Sequence, residues 1–87
     1  MNAQKKSKPR PKVVERKLGR EKASGQYWDE RKLIEIDPRL LSHERLYVLV
    51  HEMVHHVFPR FPEMKVRGVA KQLSDAVWKD GYRRVQP

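Results

Sequence analysis

The feature that most constrains this chain is a set of apolar residues at helical spacing, Leu46, Leu49, Val50, Met53, Val54 and Val57, closed by Pro59 and Pro62. Steps of three and four place these side chains on one stripe of a helix. Proline has no backbone N–H and cannot continue a helix interior, so the pair at 59 and 62 predicts a break. Ser42 is placed to cap this helix, and Glu44 suits its first turn. A second helix is predicted from about Pro62 or Glu63 to Asp80, because proline is well tolerated in a first turn. Val66, Val69, Ala70, Leu73, Val77 and Trp78 would form its buried stripe, and Gly81 suits the position after its end.

Ahead of the helices the pattern changes to short extended runs. Val13 to Leu18 alternates weakly, and Gln26-Tyr27-Trp28-Asp29 is a second candidate strand. Lys32-Leu33-Ile34-Glu35-Ile36-Asp37 is the clearest, with Ile34 and Ile36 on one face and Leu33 and Glu35 on the other. Pro38 ends it and favours an extended Asp37. Gly19, Ser24 and Gly25 mark a turn region. The expected fold class is therefore α+β: a small antiparallel sheet of two or three strands followed by two packed helices.

With 87 residues and no cysteine, the chain has room for one small domain and no disulfide or thiolate metal site. So short a domain is marginal unless a bound metal adds stability. Net charge is +9, from 20 Lys and Arg against 11 Asp and Glu. The excess gathers near the start, from Lys5 to Lys12 and on to Lys17, Arg20 and Lys22. Residues 1–12, broken by Pro9 and Pro11, are expected to be a disordered basic arm, and residues 13–87 a single domain. The arm could contact nucleic acid or an acidic partner. No segment approaches the roughly 20 apolar residues of a membrane span, and no apolar run follows the basic start as in a secretory signal. A soluble, cytoplasmic protein is expected.

Within the first helix lies His51-Glu52-Met53-Val54-His55. Histidines four apart stand one turn above the other on the same face, so both can reach one Zn²⁺. The intervening glutamate can take a proton from a water beside the metal. A catalytic zinc site needs a third protein ligand. All four histidines lie at 43, 51, 55 and 56, so a carboxylate must serve: Glu63, Asp75 or Asp80. Glu63 extends the inward stripe of the second helix at the end nearest His55. Asp75 lies roughly 160° from the stripe centre, and Asp80 about 25 Å from Glu63 along the axis. His56 is expected as a bystander or a hydrogen-bonding neighbour rather than a ligand, and His43 as an exposed residue near the helix start. Tyr82 is either a donor to a developing oxyanion or a packing partner of Trp78.

The order of a strand, a helix carrying His51-Glu52-Met53-Val54-His55 and a helix opening with Glu63 resembles zincin metallopeptidases. More narrowly it is similar to gluzincins, especially the minigluzincins and the ImmA/IrrE type. The resemblance spans about residues 13–82. It implies zinc bound by His51, His55 and Glu63, with Glu52 as general base and a peptide or protein as substrate. It further implies that the strand near Leu33–Ile36 is an edge along which an extended peptide docks. SprT-like peptidases are a neighbouring comparison, but their downstream third histidine is absent here.

Overall fold

The computed structural model describes residues 9–19 and 23–85. It holds three strands, β1 (Lys12–Glu15), β2 (Gly25–Trp28) and β3 (Leu33–Ile36), then two helices, α1 (Ser42–Val57) and α2 (Glu63–Lys79). The architecture is α+β, a three-stranded sheet followed by two packed helices.

The sheet is mixed, which corrects the expectation of an antiparallel one. Its order is β1-β3-β2. β2 and β3 form an antiparallel hairpin, with Tyr27 opposite Ile34. The turn between them is closed by Arg31 N–H to Trp28 O and Lys32 N–H to Asp29 O, and Lys32 takes a left-handed φ of 47°. With one edge of β3 used by the hairpin, β1 fills the other. It runs parallel to β3, with Val13 beside Ile34. Leaving β1, the chain passes the end of β3, and Asp37 anchors it there. One Asp37 carboxylate oxygen accepts from Leu18 N–H at 3.0 Å, and the carboxylate is also gripped by the Arg39 backbone and guanidinium. These bonds, Arg39 first, hold its carboxyl far below the usual range.

Two boundaries shift. Lys12, assigned to the arm by composition, is the first residue of β1, and Pro11 is buried beside it. The rest of the arm, residues 1–8, and the basic residues Arg20 and Lys22 lie outside the described residues. Ser42 is the first residue of α1 rather than its cap; Leu41 holds that place and makes no side-chain capping bond. Gly81, with φ 91°, stands just after Asp80 at the end of α2, in the left-handed conformation glycine adopts freely.

α1 is the spine of the fold. One side packs on the sheet through Val48 against Ile34 and Ile36, and the other meets α2 through Val54 against Val66 and Ala70. α2 touches α1 and none of the strands. Its buried positions are Val66, Ala70 and Ser74, while Leu73 is 51% exposed and Val77 is also exposed. The stripe thus advances in steps of four, the ridge commonest in helix packing, and Leu73 falls to its side. No described helix is long and apolar enough to cross a membrane.

Candidate metal centre

His51, Glu52 and His55 all lie in the second half of α1, and Glu63 is the first residue of α2. The five-residue link between the helices is tight. Phe58 N–H bonds Val54 O, Phe61 N–H bonds Phe58 O, and Val66 N–H bonds Pro62 O. This turn brings the start of α2 back over the end of α1, which is why only seven residues separate His55 from Glu63.

The three side chains converge. His51 Nε2 lies 3.1 Å from Glu63 Oε2, and His55 Nε2 lies 3.0 Å from Glu63 Oε1. One ligand atom from each residue falls within 4.8 Å of the others, so the group could hold a metal ion. Ligand atoms 2.0–2.1 Å from a tetrahedral zinc stand about 3.3 Å apart, close to the two histidine–carboxylate spacings. Without a metal, a neutral imidazole can meet the carboxylate by donating its Nε2–H; with one, the ring proton sits on Nδ1 and Nε2 is free to bind. Burial of His51 holds its imidazole below its ordinary pKa, against the pull of Glu63, and so favours the neutral ring a metal ligand needs. Asp75 and Asp80 are not part of the group: Asp75 pairs with His43 and Lys71 further along α2, and Asp80 caps its far end.

Glu52 is 9% exposed. Its carboxyl is pushed up to about 7, first by burial and second by the negative charge of Glu63. The packing that buries it depends on Gly25. A Cβ there would collide with the Val48 side chain and lie 3.3 Å from Glu35 O and 3.4 Å from Glu52 Oε2. A glycine is the one residue that lets β2 lie this close to α1 beside the glutamate.

The centre opens into a groove of about 970 Å³. Gly25, Gln26 and Tyr27 of β2 form one wall. Tyr47, Val48, His51, Glu52 and His55 of α1 form the other, with Glu63 and Arg67 at one end. The strand along the groove is thus β2, an edge strand; β3, expected in that role, lies at the sheet centre between two partners.

His56 is 3% exposed and bonds outward as expected, its Nδ1 2.6 Å from the Tyr27 hydroxyl. That hydroxyl donates to Asp29 at 3.0 Å, so its oxygen accepts from His56 Nδ1–H. Burial and Asp29 push the Tyr27 phenol up to about 12. The chain of bonds fastens β2 to α1. His43 is half exposed and stacks on Trp78 at 4.6 Å. Tyr82, 66% exposed, lines a different cavity with Leu46 and Trp78, so it is not brought to the centre as a donor. Tyr47 was not singled out by sequence reasoning, yet its hydroxyl lies 3.3 Å from His51 Nδ1. Its position four residues before His51 was the available signal. Comparisons with protein-family models, curated proteins and solved structures find no match.

Proposed function

We propose that the protein is a zinc-dependent peptidase of minimal size. The observation that carries this is the meeting of His51, His55 and Glu63, each histidine Nε2 3.0–3.1 Å from a Glu63 oxygen and the three ligand atoms within 4.8 Å of one another, in an open groove beside a buried glutamate. Three protein ligands are the number found in catalytic zinc sites, whereas structural sites are closed by four. Zinc bound there supplies Lewis-acid chemistry, acidifying water and polarising a peptide carbonyl.

The chain supplies the rest. His51 and His55 present two nitrogens from one helix face, and Glu63 adds a carboxylate from the other helix. Glu52 takes the proton of the attacking water and passes it to the leaving amine. A cation nearby draws its carboxyl back toward the ionised form, so the same group can act as base first and acid later. The free edge of β2 offers backbone donors and acceptors to an extended peptide lying in the groove.

The purified protein is expected to bind about one Zn²⁺ per chain. Glu52→Gln keeps the metal and loses hydrolysis of quenched fluorescent peptides. Equal zinc content in the wild type and a His51→Ala/His55→Ala variant would refute the proposal. The net charge of +9 favours one second reading, a non-enzymatic module that binds nucleic acid and carries a structural metal. Salt-sensitive DNA binding that survives chelation, with no peptide hydrolysis, would distinguish it.

A further inference from the structure

We propose that Tyr47 is a positioning residue for His51, holding the imidazole in one pose whether or not a metal is bound. This rests on the reading of His51, His55 and Glu63 as a metal centre. Tyr47 precedes His51 by one turn of α1. Its hydroxyl lies 3.3 Å from His51 Nδ1, and the two rings meet edge to face at 5.6 Å and 77°.

The tyrosine ring is held on both sides. It packs against the Ile34, Ile36 and Val48 cluster under the sheet, and against the Val54, Val66 and Ala70 cluster between the helices. The hydroxyl therefore projects from a body that cannot shift without disturbing both parts of the core. His51 Nε2 faces Glu63, so Nδ1 is the atom left for orientation.

A hydroxyl is also a particular kind of partner. It can donate or accept, unlike the carboxylates and backbone carbonyls that usually orient metal-bound histidine. With a metal on Nε2 the proton of the neutral ring sits on Nδ1 and is donated to the Tyr47 oxygen. Without metal, Nε2–H can face Glu63 while Nδ1 accepts from the Tyr47 O–H. The ring exchanges a proton for a metal without turning. His55 has no such bond from Nδ1 among the described residues, so His51 is the fixed ligand of the pair and His55 the one that adjusts.

The test is zinc affinity measured by competition with a chromogenic chelator, together with the visible spectrum of the Co²⁺-substituted protein. Tyr47→Phe keeps the ring and removes the hydroxyl. It is expected to weaken zinc binding by about ten- to a hundredfold, the range typical of lost partners of this kind, and to alter the Co²⁺ bands. The metal-free variant should melt only a few degrees below the wild type, because both clusters keep their packing and a single hydrogen bond is lost. Tyr27→Phe removes the other groove tyrosine hydroxyl, which bonds His56 rather than a ligand, and should leave zinc affinity unchanged. Wild-type affinity and an unchanged Co²⁺ spectrum in Tyr47→Phe overturn the proposal, as does an equal loss in Tyr27→Phe. A wild type that binds no zinc overturns the metal centre itself.

Discussion

Keeping Glu52 buried has a cost that can be measured without any substrate. Its carboxyl titrates at about 7 in the fold against an ordinary 4.5. Between those values the folded chain holds a proton that the unfolded chain has released, so the stability of the metal-free protein falls as pH rises across that window. At about 1.4 kcal/mol per unit the full difference is about 3 kcal/mol, reached above pH 7. Glu52→Gln cannot ionise and escapes it. The assay is urea unfolding in the presence of a chelator, at pH 5 and at pH 8, on the wild type and the variant. His51 contributes with the opposite sign, since burial lowers its value, so the informative quantity is the variant-minus-wild-type difference at each pH. That difference should grow in favour of the variant by about 2–3 kcal/mol between the two conditions. An equal difference at both would show that the fold does not hold Glu52 in its neutral form. Added zinc should shrink the difference at pH 8, because a cation beside the carboxylate offsets its burial.

Gly25→Ala is expected to cost about 1–3 kcal/mol by overpacking against Val48, and to cost much less in a Val48→Ala background where the obstructing methyls are gone; additive costs in the double-mutant cycle would show that the close approach is not the reason for the glycine. Zinc at a hundredfold excess over its Kd should stabilise the wild type by about 2.7 kcal/mol in thermal or urea unfolding and leave a His51→Ala/His55→Ala variant unmoved. Lys32→Gly should stabilise the fold by several tenths of a kcal/mol, because a left-handed lysine costs about 1–2 kcal/mol and glycine removes most of that at some entropic expense. A loss of stability there would mean that the exposed Lys32–Asp29 ion pair outweighs the strain.

The helices were the most legible part of the sequence. A stripe in steps of three and four, two prolines and a glycine each act through local geometry, and they bound both elements to within a residue or two. The meeting of Glu63 with His51 and His55 was legible for the same reason, since Glu63 is the carboxylate nearest the turn. Strand pairing was not, because alternation shows which residues share a face but not which neighbour lies alongside. Val13 to Leu18 could not reveal that β1 would join β3 in parallel, on the side away from β2. The face of α2 was read one residue astray because Leu73 is more apolar than Ser74, whereas the packing followed the spacing from Val66 and Ala70 rather than side-chain polarity. Tyr47 was missed because an aromatic residue in an apolar helix has a sufficient role in the core, and only the distance to His51 gives it another.

The attachment of α2 to α1 alone has a mechanical consequence. The helix is about 24 Å long and is joined to the rest of the fold at one end by the five-residue link. Along that length it is seated on α1, by the buried Val66, Ala70 and Ser74 and, toward the far end, by His43, which pairs with Asp75 and stacks on Trp78. The seam that holds the helix is thus the same one that sets Glu63 against the two histidines. Hydrogen exchange along α2 should therefore be slowest from Val66 to Ser74 and faster past Trp78.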